Sequence, residues 1–145
     1  MQISHTKDTL SQIYLDALAI RNVVFIKEQQ VPLEREVDAY EAETIHFVLY
    51  MDEGKRPAAT VRLLPVDDKK IKVQRMAVLS DFRSMGLGSK VMDAAEEFAK
   101  EQGYETIMLG AQLTAKPFYE HLGYSAKGEV FLDAGIKHIE MSKQL

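Results

Sequence analysis

The 145 residues carry a formal net charge of −4 and a pI near 5.6, with lysines scattered along the chain, which removes the electrostatic case for a polyanionic partner such as nucleic acid. Zero cysteines exclude disulfides, thiolate metal sites and a cysteine nucleophile. A length within the ~100–200 residues usual for a domain, with 46% hydrophobic residues, predicts one unit around a single core.

In chain order, a short first strand is expected near Ile3. Asp8 or Thr9 would cap a helix in which Leu10, Ile13, Tyr14, Ala17, Leu18 and Val24 recur at helical spacing, until Pro32 breaks it. The acidic stretch from Glu34 to Thr44 tolerates helix. A strand follows from about Ile45 to Met51, then a turn at Asp52-Glu53-Gly54 and a strand from Ala58 to Leu64. Asp67-Asp68-Lys69-Lys70 is the next hairpin turn, leading into a central strand from Ile71 to Leu79. Leu87, Val91, Ala95 and Phe98 form the apolar stripe of a helix that Gly103 ends. Thr106 to Ala111 is a strand, a helix around Tyr119 follows, and Ser125–Val130 with Ile136–Met141 make a closing hairpin. Hairpins first, then strand-helix-strand-helix, predict a mixed α/β (α+β) layer fold. The N-terminus lacks an apolar signal core and no run approaches the ~18 apolar residues of a membrane span, so the expectation is a soluble, cytoplasmic protein with no membrane partner.

The segment with most chemical content is Arg83-Ser84-Met85-Gly86-Leu87-Gly88-Ser89-Lys90, between the central strand and its helix. Glycines fed into a helix N-terminus leave backbone N–H groups unpaired at the positive end of the helix dipole, which suits a phosphate or pyrophosphate. In Gly88-Ser89-Lys90 the lysine and hydroxyl stand in the wrong order for a Walker loop, and Val91 occupies the third glycine position of a dinucleotide fingerprint. On spacing alone, a tight turn with no ligand is an equal alternative.

Arg83-x-x-Gly86-x-Gly88 resembles the pyrophosphate signature of the GNAT N-acetyltransferase superfamily. Ala115-Lys116-Pro117-Phe118-Tyr119-Glu120-His121-Leu122-Gly123-Tyr124 is similar to that family's Ala-x-x-Phe-Tyr-x-x-Leu-Gly-Phe/Tyr element. Arg21 to Pro32, with Glu34, Glu36 and Asp38, and the C-terminal Phe131–Met141 look like a bacterial ElaA-like or YjcF-like subgroup, so the resemblance spans nearly the whole chain.

The resemblance implies the GNAT fold: a mostly antiparallel mixed sheet, splayed between strands 4 and 5 and flanked by helices. It implies acetyl-CoA as co-substrate, no metal, and an amine of a small molecule or peptide as acceptor, attacked directly in a ternary complex; a homodimer through the closing strands is compatible with it. By position, the amides of Arg83, Ser84, Met85, Gly86, Gly88 and Ser89 would cradle the pyrophosphate, Val78 would pair the pantetheine arm beside Ala77, and the Met76 N–H would face the acyl carbonyl. Phe118, Tyr119 and Gln112 complete the cofactor set, Gln112 standing where many members have asparagine. Tyr119 is the expected general acid, since a phenol near pKa ~10 can protonate a leaving thiolate near ~8.5. Gly110, a glycine within a strand, would permit close approach of another group.

The general base does not carry over. Lys72 stands where some members have a glutamate on the central strand, with Gln74 after it, leaving Glu28, Asp38 and His46 as candidates. Glu28, Gln29, Glu34, Glu36 and Asp38 would form an acidic rim that attracts a cationic amine, or simply a solvated face, and His138 is expected to be structural. A non-catalytic acyl-CoA-binding module is the alternative to the enzyme.

Overall fold

The computed structural model describes the backbone of all 145 residues and every side chain except those of Glu34 and Arg35. The seven strands are β1 (Gln2–Thr6), β2 (Ile45–Met51), β3 (Arg56–Pro65), β4 (Lys70–Val78), β5 (Thr106–Gln112), β6 (Ser125–Asp133) and β7 (Ile136–Gln144). They form one sheet in the order β1-β2-β3-β4-β5-β7-β6, antiparallel throughout except for the parallel β4–β5 pair. The helices are α1 (Gln12–Arg21), α2 (Leu33–Glu36), α3 (Leu87–Glu101) and α4 (Lys116–His121). This is the fold expected for an acyl-CoA N-acyltransferase. Among the described residues, no helix is long and apolar enough to cross a membrane.

Alternation along the strands sorts the core into two layers. Ile45, Phe47 and Leu49 of β2 pack with Val91, Met92, Ala95 and Ala99 of α3, and Tyr119 of α4 joins this layer. Val48 and Tyr50, pointing the other way, pack with Ala17, Ile20 and Val24 of the N-terminal helix, together with Ala77. The sheet therefore has an α3/α4 face and an α1 face.

The N-terminal third departs most from expectation. Ser11, not Asp8 or Thr9, caps α1, its hydroxyl accepting from the Tyr14 N–H at 3.2 Å. Asp8 instead closes a turn onto the Leu10 N–H, an alternative that aspartate's short side chain offers. The helix does not run evenly to Pro32: from Asn22 to Glu28 it widens into a π-helical segment, a geometry frequent at functional sites. From Glu34 to Thr44 only the single turn α2 is helical.

Two irregularities in β4 position everything that follows. Its pairing with β5 stops at Val73–Leu109, although both strands continue. Its pairing with β3 jumps from Arg62–Gln74 to Thr60–Ala77, so that Arg75, at φ 56°, and Met76 form a bulge opposite Val61. The sheet opens where β4 and β5 part.

Candidate active site

A cleft of about 700 Å³ runs through this opening. Its wall on the α3/α4 face is made by Gly86, Gly88, Ser89, Phe118 and Tyr119, with Met76, Ala77 and Val78 along the β4 side. On the α1 face, Glu28 of the π-helical segment, Gln29 just after it, Gln74 of β4, Gln112 of β5 and His138 of β7 line it.

The glycine loop has the geometry its sequence suggests. Gly86 adopts φ +76° as the N-cap of α3 and provides no side-chain cap, so the first-turn amides are left for another acceptor. Gly88 has a different reason to be glycine: a Cβ there would sit 3.2 Å from Cζ of Phe118 and 3.8 Å from Cε of Met76. Ser84 adopts φ 64°, turning the loop between Arg83 and the helix. Met85 points away, half exposed and outside the cleft lining. The Arg83 side chain looks backwards, donating from Nε to the Val78 carbonyl at 2.9 Å and pairing through Nη2 with Glu28 at 2.8 Å.

Tyr119 lies on α4 with its ring edge-on to Phe118 and Tyr124. It is buried except toward the cleft, and among the described residues no protein group bonds its hydroxyl. Burial pushes its phenol above the ordinary value. The close match to a thiol expected for an unperturbed tyrosine therefore widens, and the group stays protonated.

The candidate bases separate. Glu28 reaches the cleft, but its Oε2 accepts from Arg83. His46 lies outside the cleft: it is fully buried at the start of β2, with Nε2 at 2.8 Å from the Thr44 hydroxyl and 2.9 Å from the Glu41 carbonyl, and among the described residues Nδ1 has no partner. Burial lowers its pKa, so it is held neutral. Asp38 is an ion-pair member, bound by Arg62 at 2.7 Å and by Arg75 at 3.3 Å.

The acidic rim is also not a free negative surface. Glu36 pairs with Arg21 at 2.5 Å and Arg75 at 2.9 Å. Glu41, which no local pattern singles out, takes Arg21 at 2.8 Å and Arg62 at 2.6 Å, plus the Tyr14 hydroxyl at 3.1 Å. Burial alone would raise Glu41, but hydrogen bonds and charge from Arg21, with Arg62 behind, hold it at about 2. The three carboxylates among the described side chains here meet three arginines, so the expected attraction for a cationic amine is cancelled locally; the Glu34 side chain lies outside the described residues. The network pins the segment after α2 against β3 and β4, and its members come from four elements and the loop after α2, which is why no local pattern announces it.

Two more departures concern the far strands. Gln112 bonds Gln29 at 3.0 Å, tying β5 to the π-helical segment across the cleft. The group lying over Gly110 is the Phe131 ring, whose Cζ would be 3.2 Å from a Cβ at that position. His138 is not merely a hairpin residue, because it lines the cleft with its ring stacked on Phe131 at 5.7 Å.

A parted β4–β5 pair, a bulge at the parting and an uncapped glycine-bearing helix N-terminus together define an acyl-CoA-dependent transferase fold. Residues 16–145 match the acetyltransferase (GNAT) domain family, and the chain belongs to it. Within the family it is YjcF-like. It is 42% identical over 129 residues to the uncharacterized N-acetyltransferase YjcF of Bacillus subtilis, covering 88% of this chain and 90% of that protein. The crystal structure of Escherichia coli ElaA superposes with a TM-score of 0.86 at 23% identity, covering 99% of both chains. An aminoglycoside 6'-N-acetyltransferase crystallised with coenzyme A shares the fold at a TM-score of 0.73 and 18% identity, over 99% of this chain and 97% of that one.

Proposed function

We propose that this acyltransferase moves an acetyl group from acetyl-CoA to a primary amine by direct attack within the cleft. One observation carries the reading: β4 and β5 separate beyond Val73 and Leu109 between an uncapped helix N-terminus and the Tyr119 hydroxyl. A fold neighbour crystallised with coenzyme A supports the same co-substrate.

The residues present fit that molecule. The Arg83–Ser89 loop offers amides and a helix dipole to its diphosphate, and Gly86 and Gly88 keep side chains out of the way. The free edge of β4 from Met76 to Val78 can pair an amide-bearing arm as an added strand would. Arg83, by gripping Glu28 and the Val78 carbonyl, braces the loop from behind. Gln112 and Phe118 fill out the walls.

Met76 lies in the bulge, so its N–H can donate to a carbonyl oxygen placed in the opening. A donor fixed where negative charge develops stabilises the tetrahedral stage more than the ground state. Tyr119, kept protonated by burial, supplies a proton to the sulfur as the thioester C–S bond breaks. Glu28 reaches the amine side directly or through water, though Arg83 shares its charge.

Titrating the folded protein with acetyl-CoA in a calorimeter and repeating with Tyr119→Phe tests the reading. Wild type should bind and acetylate at least one primary amine. The phenylalanine variant should bind equally well and lose about 10²- to 10⁴-fold in kcat, the usual worth of a general acid. An absence of heat from acetyl-CoA overturns the proposal.

A further inference from the structure

We infer that His138 is the general base that deprotonates the acceptor amine, an inference that rests on the acetyltransferase reading above. Its ring stands on β7 opposite Gln112 of β5 and Phe131 of β6, so all three side chains share the α1 face of the sheet. Tyr119 reaches the same opening from the α3/α4 face. A thioester held between β4 and β5 thus has a proton donor on one side and an imidazole on the other, so the group that takes the amine's proton and the group that protonates the sulfur do not compete for one place.

The tautomer is fixed by geometry. Nδ1 lies 2.7 Å from the Ile136 carbonyl oxygen. A carbonyl can only accept, so Nδ1 carries the proton and Nε2 keeps the basic lone pair. Among the described residues, Nε2 has no protein partner. The ring is held from behind by Phe131, stacked at an interplanar angle of 25°. Phe131 can lie there because Gly110 beneath it has no Cβ. Gly110, Phe131 and the Ile136 carbonyl are positioning elements for one nitrogen. This is how a catalytic base is built: a titratable ring whose second nitrogen is bonded elsewhere to set the orientation of the first.

No other candidate base matches it. Glu28 gives an oxygen to Arg83, and His46 and Asp38 lie in the polar network outside the cleft lining. The proton count closes with His138 in place. An alkylammonium gives one proton to Nε2, and the freed nitrogen lone pair forms the new N–C bond at the thioester carbonyl. The C–S bond then breaks, and the sulfur takes the Tyr119 proton. The acetylated nitrogen sheds its second excess proton, which restores Tyr119 through the cleft solvent, and His138 releases its own to bulk. Ammonium and thioester become amide, thiol and one free proton.

His138→Asn separates chemistry from architecture, because the asparagine amide can still donate to the Ile136 carbonyl but offers no basic nitrogen. Acetyl transfer to tyramine, putrescine and lysine is followed together with acetyl-CoA affinity by calorimetry. The expected result is unchanged affinity and a kcat lowered by at least about 100-fold, in the range of general-base contributions. Added imidazole should restore part of the rate of His138→Ala. Wild-type kcat in His138→Asn overturns the inference. So does a loss of acetyl-CoA affinity that parallels the loss of rate, or a failure of imidazole to rescue, since both mark a structural role. A wild type that acetylates none of the three amines removes the acetyltransferase reading and the inference with it, an outcome distinct from a working wild type and an unaffected variant.

Discussion

The two faces of the cleft are made of different materials. On the α3/α4 face the wall is largely backbone, with the unpaired amides of an N-terminal helical turn, two glycines and a free strand edge, closed by the rings of Phe118 and Tyr119. On the α1 face lie polar side chains, Glu36 and Arg75 among them, and these two are interlocked with Arg21, Arg62, Asp38 and Glu41 behind the wall. A backbone site tolerates almost any side chain that stays out of the way, but it needs glycine at particular steps. A side-chain network needs its charges complete and fails when one is removed. The first kind of wall suits a co-substrate of constant shape, and the second holds a segment in place while leaving residues around it free to vary with the acceptor.

The contrast predicts opposite consequences for the two faces. Glu41→Gln removes the shared partner of Arg21 and Arg62 and leaves buried positive charge uncompensated, which typically costs about 3–5 kcal/mol. Urea denaturation should show a loss of that size, while acetyl-CoA affinity of the remaining folded protein stays near wild type. A small shift in midpoint would mean that the network is replaceable, and the comparison would lose its force. Gly86→Ala is the reciprocal experiment. Nothing lies within 4 Å of the added Cβ, so its effect is conformational, from φ +76° alone. The left-handed backbone costs a non-glycine residue about 1–2 kcal/mol. With no packing to resist, the loop should relax and lose acetyl-CoA affinity by that amount, with a smaller change in urea midpoint; retained affinity would show that the amides do not need this turn.

The same contrast decides what could be read from the sequence. The succession of strands and helices in the second half was legible because each element has its own periodicity, whereas the glycine loop and the Phe118–Tyr119 helix were legible through their resemblance to two family motifs. The bulge at Arg75–Met76 left no local mark, and neither did the π-helical widening at Asn22–Glu28. The arginine–carboxylate network was misjudged as a solvent-facing acidic rim because its partners Arg21, Arg62 and Arg75 sit on α1, β3 and β4, far apart in the chain. The place of His138 in the cleft lining, where a structural hairpin residue was expected, was hidden for a related reason. Its environment comes from Phe131 and Gly110 on neighbouring strands, and register is invisible before the strands are paired.

The last consequence concerns pH and lies wholly on the α1 face. Burial depresses His46 below the ordinary 6.5. Below that pH the unfolded chain therefore binds a proton that the folded protein refuses. Stability must fall as pH drops through 6.5, by at most about 1.4 kcal/mol per pH unit for one site. Glu41 acts lower down: with a folded value of about 2 against an ordinary 4.5, its contribution is full above 4.5 and drains away between those values. Glu36, pushed upward by burial despite Arg21 and Arg75, has the opposite sign and makes the acid limb shallower. Two stages should be separable by urea denaturation at successive pH values. His46→Gln should flatten the stage just below pH 6.5 and leave the lower limb in place, because glutamine cannot take up the proton. If the variant keeps the wild-type slope in that interval, the buried imidazole is not what the folded state excludes from titration, and Nδ1 of His46 must have found a partner that the buried network does not provide.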